Sequence, residues 1–168
     1  MSIGAANQVI FSHGKDSEPW GTKIVALAET ARALGWQVES VDYRGLDSVD
    51  ARLEKLLHVS RSLPPAVHVG SSLGGFLAAA ASLPAAARGL FLMAPAFELP
   101  GLPPTPAVAR CPMVVVHGWQ DDIVPVDIGI GFARRHAATL QVLDDDHRLH
   151  HSLPFIRESL AQFLRRFA

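Results

Sequence analysis

Short apolar runs alternate with amphipathic stretches along the whole chain. Residues 9–11, Val-Ile-Phe, read as a buried strand that ends at Ser12-His13-Gly14. Ile24, Leu27, Ala28, Ala31 and Leu34 then recur at the spacing of one helix face, and Gly35 supplies a stop. The alternation continues with strands over 37–43, 66–70, 89–94, 113–117 and 139–143. Between them, Val49, Leu53, Leu56 and Leu57 mark a second helix, 73–83 a third and 126–137 a fourth. Leu153, Ile156, Leu160, Phe163, Leu164 and Phe167 form the apolar face of a last one.

Strands that alternate with helices pair in parallel through right-handed crossovers. The strands are continuous apolar runs, so both faces of their sheet are expected to be covered. The pattern therefore predicts a three-layer α/β/α sandwich with about six parallel strands, spanning residues 1–168 as one domain. Ligands of such open sheets bind beyond the carboxyl ends of the strands. One stretch, 96–112, breaks the rhythm with Pro100, Pro103, Pro104, Pro106 and Pro112. It reads as a stiff surface connection that could rim a binding site.

Composition narrows the classes. With 49% hydrophobic and 18% charged residues, the chain is able to bury a core and does not fit a disordered segment. Fifteen Lys and Arg against sixteen Asp and Glu leave no basic surplus for phosphate backbones, which argues against a nucleic-acid partner. A single cysteine, Cys111, excludes a disulfide framework and a cysteine-rich zinc site. The longest apolar stretch, 76–97, is interrupted by Ser82, Pro84 and Arg88, so no membrane span is expected. The first residues, Met-Ser-Ile-Gly-Ala-Ala-Asn-Gln, lack a basic region followed by an apolar run, and the expected location is cytoplasmic.

The chemistry gathers at strand ends. The third strand runs into Gly70-Ser71-Ser72-Leu73-Gly74-Gly75, a Gly-x-Ser-x-Gly turn with Ser72 at its centre. Such a turn needs small neighbours because the chain reverses sharply from strand to helix. It lifts the serine over a helix N-terminus whose amides favour developing negative charge. A serine hydroxyl also needs a base held by a third group. The fifth strand ends in His117-Gly118-Trp119-Gln120-Asp121-Asp122, and the sixth in Asp144-Asp145-Asp146-His147. Serine, acid and histidine thus follow in one order at three separate strand ends.

These segments resemble the α/β-hydrolase superfamily over most of the chain. Phe11-Ser12-His13-Gly14 resembles its His-Gly oxyanion turn, and Asp42-Tyr43-Arg44-Gly45 its Asp-x-Arg-Gly turn. The segment from His117 to Pro125 is similar to the acid loop of carboxylesterases and acyl thioesterases. The resemblance implies strand order 2-1-3-4-5-6 and Ser72 as nucleophile. It implies Asp121, not Asp122, as the acid and His147 as the base, with the backbone amides of Lys15 and Leu73 meeting the oxyanion. No helical cap separates the fourth and fifth strands, so an open site is implied.

His150 and His151 rival His147, but they precede Pro154 and suit a cap or surface. The run from Asp144 to His151 holds acids and histidines that diverge on one turn, which speaks against a metal. Trp20 and Trp119 are expected to line a substrate pocket. The reading is a serine hydrolase of small-molecule carboxylic esters or thioesters that needs no cofactor. A catalytically idle hydrolase fold serving as a scaffold is the competing reading, opposed by the competent residue at every triad position. A nucleotide-binding domain of the same strand order would need a Gly-x-Gly-x-x-Gly or P-loop pattern that the sequence lacks.

Overall fold

The computed structural model describes residues 6–168; the reading of the extreme N-terminus as lacking an export signal falls partly on residues 1–5, outside the described residues. Six strands form one parallel sheet: β1 (Gln8–Ser12), β2 (Gln37–Val41), β3 (Val67–Ser71), β4 (Gly89–Met93), β5 (Met113–Gly118) and β6 (Thr139–Leu143). Their order is β2-β1-β3-β4-β5-β6, and every adjacent pair is parallel. The helices are α1 (Thr22–Ala33), α2 (Val49–Arg61), α3 (Leu73–Ser82), α4 (Val126–His136) and α5 (Leu153–Arg165).

Side chains alternate across a strand, and the two apolar layers follow that alternation. Val9, Phe11, Val67, Val69, Phe91 and Val114 point toward α1 and α5, where Leu27, Ala31, Ile156 and Leu160 are buried. Ile10, Leu90, Leu92 and Val115 point the other way, toward Leu56 of α2, Phe76 and Leu77 of α3 and Phe132 of α4. The order of the strands and the split of the helices put the carboxyl ends of β1, β3, β5 and β6 along one rim.

Two expectations are corrected. Coverage of both faces holds for β1, β4 and β5, which are buried throughout, and for most of β3, but not for the edge strands. Gln37 and Glu39 of β2 and Thr139 of β6 are exposed. The second strand also stops at Val41 and not at Tyr43. The Tyr43 amide leaves the ladder because it donates to His13 Nε2 (3.0 Å). Among the described residues, no helix is long and apolar enough to cross a membrane.

Candidate active site

The turn between β3 and α3 carries Ser72 at φ 55°, ψ −120°, a left-handed conformation that a serine adopts only under constraint. The constraint is visible. The Ser72 amide donates to Met93 O of β4 (3.0 Å), and its carbonyl accepts from Gly75 N and Ala96 N (2.9 and 3.0 Å). Gly70 and Gly74 permit the crossing. A Cβ on Gly70 would run into the Gly74 carbonyl, and one on Gly74 into the Ser12 carbonyl of β1.

Ser72 Oγ lies 3.0 Å from His147 Nε2, and His147 Nδ1 lies 2.8 Å from Asp121 Oδ2. The carboxylate accepts only, so Nδ1 carries the ring proton and Nε2 is left to accept from the hydroxyl. Asp121 is held from every side. Oδ1 accepts from the amides of Ile123 (2.9 Å) and Val124 (2.8 Å), and the Asp121 side chain has 0% exposure. His117 Nε2 lies 3.2 Å from Asp121 Oδ2 and 2.9 Å from Val124 O. Both neighbours are acceptors, so His117 is protonated at Nε2.

The histidine turn is anchored from below. Asp145 is buried and accepts from the amides of Asp146 and Ser152 (both 2.8 Å), tying together the two ends of the segment that carries His147. Burial opposes ionisation of its carboxyl, but these hydrogen bonds outweigh it and hold the pKa below the ordinary value. Trp119 N and Gln120 N donate to Leu143 O and Asp145 O (2.9 and 3.0 Å), which joins the acid loop to the histidine loop. From α1, Lys23 Nζ donates to Arg148 O (3.0 Å). Burial lowers its pKa to about 8 against the opposing pull of Asp145, Asp146 and Asp121.

The turn after β1 passes over the serine. A Cβ on Gly14 would lie 3.5 Å from Ser72 Cβ. His13 shapes this turn. Its Nε2 accepts from Tyr43 N (3.0 Å), so its proton sits on Nδ1, which donates to Gly14 O (2.8 Å). Burial lowers the His13 pKa and favours the neutral ring that this arrangement needs. In a trans peptide the N–H points opposite to the C=O. Fixing Gly14 O therefore fixes the direction of the Lys15 N–H. Neither that amide nor the Leu73 amide, in the first turn of α3, donates to an acceptor among the described residues.

Lys15 and Leu73 line one cleft of about 620 Å³ together with Arg44, Leu46, Arg52 and the loop residues Pro100 to Leu102. The proline-rich connection thus borders this cleft. Trp20 and Trp119, expected as pocket walls, do not line this cleft. They are 43% and 56% exposed, and Trp20 is engaged with the Arg32 guanidinium, 5.4 Å from its ring centroid. Asp122, His150 and His151 are exposed, and none forms a hydrogen bond or ion pair with Ser72 or Asp121. Sequence reading missed Lys23, Asp145 and Arg52, whose roles come from contacts across the fold.

No family model matches the chain. It is similar to mitochondrial palmitoyl-protein thioesterase ABHD10 of Bos taurus, at 26% identity over 87% of this chain and 68% of that protein. Among solved structures, Est1E from Butyrivibrio proteoclasticus superposes with a TM-score of 0.84 at 21% identity, covering 96% of this chain and 88% of Est1E. That likeness is one of fold. A protein of the alpha/beta hydrolase superfamily from Xanthomonas campestris pv. campestris superposes with a TM-score of 0.90 and shares 36% of its residues. The match covers 95% of this chain and 99% of the other, and the chain therefore belongs to the alpha/beta hydrolase superfamily.

Proposed function

We propose that the protein hydrolyses carboxylic esters or thioesters through an acyl-enzyme on Ser72. The observation that carries this reading is the unbroken hydrogen-bond path Ser72 Oγ, His147 Nε2, His147 Nδ1, Asp121 Oδ2. Ser72 Oγ attacks the substrate carbonyl carbon as His147 Nε2 takes its proton. The imidazolium that forms is stabilised and kept in orientation by the Asp121 carboxylate. Negative charge collects on the former carbonyl oxygen, and the Lys15 and Leu73 amides meet it. His147 returns the proton to the leaving alcohol or thiol. A water molecule, deprotonated by the same nitrogen, then releases the acid and restores Ser72. The thioesterase name of the bovine relative agrees with a thioester as well as an ester at this site.

A fluorophosphonate probe tests the assignment. Wild-type protein is expected to be labelled on Ser72 and Ser72→Ala to stay unlabelled. Hydrolysis of 4-nitrophenyl butyrate is expected to fall by about 10⁴-fold or more in Ser72→Ala and in His147→Ala. Folded wild-type protein that neither reacts with the probe nor turns over the ester would leave the scaffold reading in its place.

A further inference from the structure

Among the described residues, Arg52 is a buried cation without a counter-ion. It sits on α2, is 7% exposed and forms no ion pair among the described residues. Its Nε donates to Leu46 O (2.8 Å) and its Nη2 reaches Lys15 O at 3.5 Å. A guanidinium carries five N–H donors. Three of them therefore have no acceptor among the described residues, and Nη1 is buried with none at all. The Tyr43 ring, 5.8 Å from Arg52 Cζ, offers a π-face but no acceptor.

An arginine cannot relieve such a position by losing its proton. Burial of an unpaired charge is strongly unfavourable, and the ordinary remedy is an opposite charge. Arg52 lines the cleft that also holds Lys15 and Leu73, the residue that follows Ser72 in the chain. The other charges there do not neutralise it. Asp16 and Asp47 are exposed and do not pair with it. Arg44 is already taken by Asp42 (2.8 Å). Lys15 adds an exposed ammonium at the rim.

We propose that the cleft binds an anionic oxyacid group, such as a carboxylate, carried by the substrate, with Arg52 as its counter-ion. The proposal rests on the ester or thioester reading and names the substrate class within it. A planar guanidinium matches an oxyacid with paired N–H donors. Because Arg52 also holds the Lys15 carbonyl, the bound anion and the oxyanion turn share one anchor.

The test compares chain-matched esters, each rate being divided by the hydroxide rate of the same ester. On the acyl side, mono-4-nitrophenyl glutarate is set against 4-nitrophenyl valerate. On the alcohol side, 3-carboxyphenyl valerate is set against phenyl valerate. Wild-type protein is expected to favour the anionic member at least tenfold in kcat/KM on one side, which also tells which part of the substrate enters the cleft. That ratio is expected to fall at least tenfold in Arg52→Met and to be partly kept in Arg52→Lys. Ratios near one on both sides, or a ratio unchanged in Arg52→Met, would overturn the proposal. Calorimetric titration of Ser72→Ala protein with glutarate and with valerate needs no turnover. Preferred glutarate binding in a protein that hydrolyses none of the esters keeps the anion site and removes the hydrolase reading. Turnover of the esters with no preference and no glutarate binding does the reverse. If Arg52→Met does not fold, the wild-type ratios and the titrations decide.

Discussion

Two buried charges, Asp121 beside His147 and Arg52 on the cleft that holds Lys15 and Leu73, are treated in opposite ways. The Asp121 carboxylate accepts from two backbone amides and has two imidazole nitrogens within reach. The Arg52 guanidinium meets two carbonyls and leaves Nη1 bare. A charge whose donors are all supplied by the chain is a finished part of the machine and has nothing left to offer a ligand. A charge whose donors are left without acceptors on the cleft next to the serine turn has unused bonding capacity. On the proposed function and the proposed anion site, the contrast separates the half of the site that performs chemistry from the half that selects what the chemistry acts on. His68 of β3 sharpens it further. It is also buried with an unpartnered Nδ1, but burial pushes its pKa down to about 4, so it escapes by staying neutral. Arg52 has no such escape.

The largest break is expected on the finished side. Asp121→Asn places an amide where His147 Nδ1 needs an acceptor, and kcat is expected to fall about 10⁴-fold with the fold intact by circular dichroism. Asp122→Asn, at an exposed neighbour, is expected to stay within about twofold. The turn that joins the two halves comes next. His13→Phe releases the Gly14 carbonyl, and misdirecting the Lys15 amide is expected to lower kcat by about 10-fold to 10²-fold, less than outright loss of an oxyanion donor. His13→Asn can keep a donor near Gly14 O, and a smaller loss is expected there. Steady-state kinetics on one neutral ester reads both.

The last effect is on stability and not on rate. The His68 pKa is about 4 folded against 6.5 for the free side chain, so between those values the unfolded chain binds the extra proton. Stability is therefore full above pH 6.5 and declines as the pH falls toward 4, by on the order of 3 kcal/mol. His13, lowered in the same direction, adds to the decline. His68→Leu is expected to flatten the fall of the thermal midpoint across this window. An unchanged slope would move the acid sensitivity to His13 or to the carboxylates.

The strand order and the meeting of Ser72, His147 and Asp121 follow from features that are local in the chain. Apolar runs mark the strands, and each of the three residues sits at the end of one. The end of β2 was hidden because His13, thirty residues earlier, captures the Tyr43 amide. Trp20 and Trp119 looked like pocket walls because their segments converge on the serine. Which way a ring turns is decided by its neighbours, and Trp20 turned to Arg32. Arg52 lay within an ordinary amphipathic helix, where an arginine is expected to face water. Only the packing of α2 against the turn after β1 shows it buried.

The crossing at Gly70 and Gly74 also bears on how this scaffold can be re-engineered. Any side chain at either position meets a backbone carbonyl that has nowhere to go. A library that randomises the serine turn would therefore consist mostly of misfolded members. Diversity is better spent on residues 98–108, where the chain has no ladder to preserve and Pro100, Gly101 and Leu102 already border the cleft.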